Sequence, residues 1–222
     1  MYSPVDIKPS KYFGNNWFGD SPKMNRQVYL HSDLEYDHWV LVETNPNIVA
    51  FCEQPLRIQS IVNEDLIESV FDMWVQYKDS EEHFIEVKYS HELNPNNPSP
   101  KSQRAIRQTT AQMLWCKQHG FQYSIMTEDS IRGNPIYLSN MKEIIPCVRM
   151  MKATIETDEY LLLRVLKGKN RMTFSELFHL LHTKITAQRL RNIIYWCIYH
   201  GKILSNADQI PFSPQTEVWT DV

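Results

Sequence analysis

The sequence predicts an α/β chain of the α+β kind, in which a mixed central sheet flanked by helices is followed by a smaller, mainly helical domain. Three observations predict it. Residues 48–89 are dense in Val, Ile, Phe and Trp and interrupted only by short polar turns, the composition of a strand meander. Residues 103–119 then carry apolar side chains at helical spacing and lead into a further strand-like run. After Pro146 the pattern turns helical. With 222 residues the chain is long enough for two domains, which we expect at 1–148 and 149–222.

The elements follow in order. Pro4, Pro9, Gly14, Asn15 and Gly19 mark residues 1–22 as an irregular arm. Ser32 as N-cap with Glu35 three residues later forms a capping box, Leu34, His38, Leu41 and Val42 continue at helical spacing, and Asn45-Pro46 stops the helix. Ile48 to Ile61 and Leu66 to Tyr77 read as a hairpin turning at Asn63-Glu64-Asp65, and His83 to Tyr89 as a third strand. The Pro- and Asn-rich stretch Asn94 to Ser102 is a loop. A helix from Gln103 to His119 places Ile106, Thr109, Met113 and Cys116 on one stripe and ends at Gly120, before a strand from Phe121 to Met126. Helices are expected at Asp158 to Leu166, Thr173 to His182 and Thr186 to Tyr199, the second opened by a Thr-Phe-Ser-Glu capping box. Lys202-Ile203-Leu204 and Glu217-Val218-Trp219 can pair as a small wing, giving a winged helix-turn-helix.

Composition excludes several classes. No apolar run approaches the roughly 20 residues that span a bilayer, and the N-terminal residues lack the apolar core of a secretory signal, so a cytoplasmic protein without membrane partners is expected. Cys52, Cys116, Cys147 and Cys197 contain no CxxC pair, and His179 with His182, or Cys197 with His200, supplies only half of a tetrahedral zinc set. The net charge of −3 argues against a protein that grips duplex DNA unaided. From Arg149 onward 10 Lys and Arg stand against 7 Asp and Glu, leaving 13 against 19 before it.

The acidic first part holds the residues that can do chemistry. Alternation along a strand puts Glu86 and Lys88 on one face, and a carboxylate beside an ammonium can bind a divalent cation and orient or deprotonate a water for attack on a phosphodiester. Asp72, set among packing residues, is costly there unless a partner neutralises it. Asp72, Glu86 and the backbone carbonyl of Val87 make a chemically sensible incomplete shell for Mg2+ or Mn2+, with Glu35 as a further ligand. Each residue also has a plain structural reading: Glu35 as a cap alone, Asp72 in an ion pair, Glu86 and Lys88 as a solvated face. Lys101, Arg104 and Arg107, and Lys184, Arg189 and Arg191 on the last helix, can likewise meet phosphates or form solvated faces.

A helix Glu, a hairpin Asp, then ExK on the next strand followed by a helix is the layout of PD-(D/E)xK nucleases. The chain resembles one branch, the TnsA-type endonuclease subunits of heteromeric transposases. The likeness rests on Ser32-Asp33-Leu34-Glu35, Asn45-Pro46-Asn47-Ile48-Val49, Glu53-Gln54-Pro55, Phe71-Asp72, Ile85-Glu86-Val87-Lys88, Trp115, Gly120 and Ser124-Ile125-Met126-Thr127-Glu128. It implies a restriction-endonuclease-like core with catalytic positions at Glu35, Asp72, Glu86 and Lys88, and Mg2+ or Mn2+ as cofactor. The implied activity is nicking of the non-transferred strands at the 5' ends of a transposon in double-stranded DNA. The implied partners are a DDE transposase subunit and an AAA+ ATPase regulator, and the implied setting is a bacterial nucleoid. The departure is Phe71 in place of the proline of the fold's name. Two other functions compete: a free-standing restriction or repair nuclease, which would cut DNA alone, and a non-catalytic winged-helix adaptor, in which substituting Asp72 would have no effect.

Overall fold

The computed structural model describes residues 2–5, 15–151 and 156–221. They form two compact units, the first made of Met1–Val42 and Asn47–Gly133 and the second of Glu43–Pro46 and Asn134–Val222. Among the described residues no helix is long and apolar enough to cross a membrane.

The first unit opens with an antiparallel hairpin, β1 (Trp17–Ser21) and β2 (Arg26–Leu30). This corrects the irregular arm expected over residues 1–22 at its C-terminal end, while residues 6–14 lie outside the described residues. Alternation buries Gly19, Val28 and Leu30 and turns Phe18 and Tyr29 outward. Glycine is required at position 19 because a Cβ would stand 2.7 Å from the Trp39 ring. Helix α1 (Asp33–Thr44) follows, with Leu34, His38 and Val42 buried.

The hairpin expected across residues 48–77 is in fact two ladders. β4 (Arg57–Val62) and β5 (Asp65–Val70) pair around Asn63 and Glu64, both at positive φ, as the tight turn demands. Beyond them β3 (Ile48–Glu53) and β6 (Met73–Tyr77) pair in a different sheet. The breaks fall at Gln54-Pro55-Leu56, where Gln54 has φ 41°, and at Phe71-Asp72. A proline cannot donate to a ladder, and a left-handed residue turns the strand out of register. β7 (Glu82–Val87) extends the sheet antiparallel to β6, and a 3-10 turn at Ser90–Leu93 and the expected loop lead to helix α2 (Pro100–His119). β8 (Gln122–Met126) then pairs parallel with β7, so the sheet is mixed, in the order β3-β6-β7-β8. Such a parallel neighbour needs a crossover, and α2 provides it. The helix starts on the Ser99 side chain and ends on Gly120 at φ 76°. A short helix α3 (Glu128–Arg132) closes the unit.

The core contains Ala50, Cys52, Ile58, Phe71, Trp74, Phe84 and Cys116. The buried face of α2 keeps Thr109 and Cys116 of the expected stripe but not Met113. Met113 is 50 % exposed, whereas Ala105, Thr109, Gln112 and Cys116 are buried. The helix therefore turns a polar residue, Gln112, into the interior.

In the second unit, helix α4 (Pro135–Met150) runs straight through Pro146, where the sequence suggested a change of pattern. Proline costs a helix one backbone bond, and the burial of Leu138, Met141, Ile144, Ile145 and Val148 on one face offsets it. The units consequently divide at Gly133–Asn134 rather than at 148. There follow α5 (Glu156–Leu166), β9 (Met172–Thr173), α6 (Phe174–Leu181), α7 (Ala187–Tyr199), β10 (Leu204–Ser205) and β11 (Glu217–Trp219). The capping box of Thr173 and Glu176 is present. β10 and β11 pair antiparallel, and β9, not expected as a strand, joins the other edge of β11. Buried Asn140 donates to the Ala207 and Ile210 carbonyls and accepts from the Phe212 N–H, holding the loop between β10 and β11.

Candidate active site

Four of the residues singled out from the sequence converge in the first unit. Glu35 sits in the first turn of α1, where its N–H donates to Ser32 Oγ at 3.1 Å and its carboxylate accepts from the His31 N–H and Ser32 Oγ, each at 3.0 Å. Its capping role is therefore present, yet the same carboxylate also lies within electrostatic reach of Asp72 and Lys88. Asp72 is not inside a strand, as its neighbours suggested, but at the break between β5 and β6, where its Oδ2 accepts from the Val87 N–H at 2.8 Å. Glu86 is fully buried on β7. Lys88 lies just past the end of that strand, fixed by its N–H to the Met126 carbonyl at 3.1 Å. Its Nζ stands 2.5 Å from Glu86 Oε1 and 3.8 Å from Asp72 Oδ2. Glu86 and Lys88 do reach the same space.

Sequence reasoning assigned no role to the amides that hold these groups. Glu86 Oε1 accepts from Gln108 Nε2 at 2.7 Å and Glu86 Oε2 from Gln112 Nε2 at 2.6 Å. Gln112 also donates to Ser69 Oγ at 2.9 Å, and its Oε1 accepts from the Tyr123 hydroxyl at 2.8 Å. Spaced i and i+4 on α2, Gln108 and Gln112 fall on one helical face. A polar residue recurring within an apolar stripe was the available signal. Gln54 connects the acids from the other side: its backbone N–H donates to the Asp72 carbonyl at 3.1 Å, and its side chain approaches Glu35 Oε2 at 3.5 Å. The neighbouring Glu53 holds Arg26 through two bonds of 2.6 and 2.5 Å, which secures the β1–β2 hairpin against β3.

The charges are unevenly matched. Burial and then Asp72 push the Glu35 carboxyl up to about 7, and the same two causes raise Glu86, with Lys88 and Gln112 restraining the shift. Burial alone would lower the Lys88 ammonium, but Asp72 and Glu86 outweigh it and hold it above its ordinary value. Lys88 is thus cationic near neutrality, and one cation serves three acids. Such a surplus of buried oxygen donors suits a hard divalent cation. Asp72, Glu86 and the Val87 carbonyl would be the set to hold one, with Glu35 beside them. Gln108 and Lys88 both donate to Glu86 Oε1, whereas Oε2 accepts from Gln112 and keeps a second lone pair with room for one. Among the described residues no three His, Cys, Asp or Glu side chains are grouped to hold a metal by themselves, so backbone and water ligands would complete the shell.

A cleft of about 340 Å3 opens beside Glu35 and Lys88, lined also by Val87, Lys101, Arg104 and Gln108 among others. Lys101 is paired with Glu92. In the second unit Arg189 is engaged by Asp158 through two bonds of 2.9 and 2.7 Å, and Arg191 donates to Gln188 at 3.2 Å and lies 6.0 Å from the Tyr195 ring centre.

Residues 45–128 match the family model described as TnsA-like endonuclease N terminal. A search of curated proteins finds no match. The matched segment contains Asp72, Glu86 and Lys88 together with Gln54, Gln108, Gln112 and Tyr123, and Glu35 precedes it. Over that segment, somewhat more than a third of the chain, the sequence is similar to the TnsA-like endonuclease N-terminal domain.

Proposed function

We propose that this chain is the endonuclease subunit of a cut-and-paste transposase, hydrolysing phosphodiesters of the non-transferred strands at the 5' ends of the transposon. The observation that carries the reading is the meeting of Glu35, Asp72 and Glu86 around Lys88, three of them inside the segment that matches the TnsA-like endonuclease domain.

Asp72, Glu86 and the Val87 carbonyl would hold Mg2+ or Mn2+, with Glu35 as a further ligand or orienting group. When bound, such an ion supplies Lewis-acid activation of a water and of the phosphodiester. Lys88, kept protonated by Asp72 and Glu86, donates to the attacking water or to the scissile phosphate and offsets the charge that grows there. Glu35, whose proton affinity is raised toward neutrality, can take or return a proton beside them. Gln108 and Gln112 keep Glu86 oriented as an acceptor, and Gln54 keeps Asp72 at the strand break. The partners in this reading are transposon-end duplex DNA, a DDE transposase subunit that recognises the ends, and an AAA+ regulator. The mild acidity of the chain fits a subunit positioned by others. The second unit, with α6, α7 and the β10–β11 ladder, is read as a winged helix-turn-helix that docks on a partner or on flanking DNA.

The test is strand-resolved cleavage of transposon-end DNA by the purified chain with Mg2+, with and without its transposase, alongside Asp72→Ala. Partner-dependent nicking of the 5' strands that Asp72→Ala abolishes is the expected result. Cutting without the partner would replace the reading by a free-standing nuclease, and absence of cutting under every condition would leave a winged-helix adaptor.

A further inference from the structure

A second groove, of about 490 Å3, runs between the β4–β5 hairpin and α2. Arg57, Glu68, Arg104, Arg107 and Gln108 line it. Arg104 and Gln108 also line the cleft beside Glu35 and Lys88, so the two depressions share a wall, and Gln108 reaches Glu86 at 2.7 Å from it. Both walls are built. The hairpin is pinned to α2 by Gln112, which donates to Ser69 Oγ and, at 3.3 Å, to the Val70 carbonyl. α2 is in turn capped at both ends.

The arginines in this groove outnumber its acids three to one. Arg104 and Arg107 are exposed and make no hydrogen bond or ion pair with the described residues. The groove's one acid, Glu68, lies 2.7 Å from Arg57, in a pair whose side chains are 46 % and 49 % exposed. An exposed pair of that kind is held weakly and yields to a stronger anion. Two exposed guanidiniums with no acid of their own and a third whose acid is itself exposed, in a groove lined by no aromatic side chain among the described residues, suit phosphates rather than stacked bases.

We propose that this groove binds the sugar-phosphate backbone of the DNA flanking the scissile phosphate. Arg104 and Arg107 each take a phosphate, and Arg57 exchanges Glu68 for a third. This rests on the nuclease reading for the identity of the polymer, while the charge geometry stands apart from it. The groove gives a chain with a net charge of −3 a local basic track where its substrate must lie.

The test is the affinity of the full chain for a short fluorescent duplex, measured by anisotropy across a salt series without divalent metal, together with the cleavage assay. The double variant Arg104→Ala/Arg107→Ala is expected to bind at least about tenfold more weakly at low salt, with the slope of log affinity against log salt smaller by about two. Glu68→Gln should bind more tightly than the parent, a gain that a folding defect cannot imitate. The proposal is overturned if the double variant keeps the parent's affinity and slope, if Glu68→Gln fails to tighten binding, or if the parent does not bind at the lowest salt. Asp72→Ala separates the two ideas. A parent that never cuts, yet loses duplex binding in the double variant, retains the groove and discards the nuclease. A parent whose cutting depends on Asp72 but whose binding ignores both arginines does the reverse.

Discussion

Asp158 in the second unit and Glu86 in the first are acids withdrawn from water, but their partners differ. Asp158 meets Arg189 through two bonds. Asp72 and Glu86, with Glu35 nearby, turn toward a single lysine at the edge of a cleft. A matched buried pair consumes its own charge and leaves nothing for a ligand. An unmatched cluster costs stability and persists where something else completes it. By this contrast Asp158 is structural, whereas the first unit's cluster keeps charge that a ligand would complete.

The strongest way to break the contrast is Asp72→Ala. Partner-dependent cleavage should fall by at least about a thousandfold, with secondary structure by circular dichroism unchanged, on the scale of lost electrostatic stabilisation in active sites. Activity retained within tenfold would make the cluster structural after all. Next is Lys88→Ala, expected to reduce cleavage by about a hundredfold or more. Removing a cation from beside the acids should at the same time tighten Mn2+ binding in calorimetry. Weaker Mn2+ binding would mean that Lys88 builds the site rather than competes with the ion.

The pH dependence sharpens the comparison further. Glu35 has a folded-state value raised to about 7, above the ordinary value of about 4.3 for an unfolded glutamate. Its contribution to stability is therefore complete at acidic pH and is lost as the pH rises through neutrality. Glu86 is shifted in the same direction and adds to the effect. Without metal, the melting temperature of the first unit should fall between about pH 5 and pH 8. Mn2+ should reverse the fall and release protons on binding. A metal-free melting temperature that rises over this interval would contradict the assignment. The smallest effect belongs to the second unit: Arg189→Met, which leaves the Asp158 carboxylate short of two donors, should cost about 1–3 kcal/mol in urea unfolding. Cleavage well below the melting temperature should be unchanged.

How far the sequence could be read depended on whether a signal was local. Helix starts at Ser32 and Thr173, the stop at Gly120 and the turn at Asn63-Glu64 depend on a few adjacent residues whose side chains and φ angles act on their own backbone, and they stand where expected. The β1–β2 hairpin escaped notice because its strands are five residues each and its inner face is defined by Trp39 on α1. α4 was hidden by Pro146, whose cost is offset only by distant packing.

The sequence by itself determined the residue types of the candidate site, Glu35, Asp72, Glu86 and Lys88, and the period-2 spacing that sets Glu86 beside Lys88. It also determined the α+β class, through where the strand and helix patterns fall. Only the tertiary structure decided that Asp72 sits at a break between two ladders with its carboxylate on the Val87 N–H, that α2 turns Gln108 and Gln112 rather than Met113 inward, and that three acids share one cation. Pairing between β6 and β7 and the crossover of α2 join residues far apart in the chain. Such contacts arise from closing long loops around a common core, and a window of neighbouring residues carries no record of them.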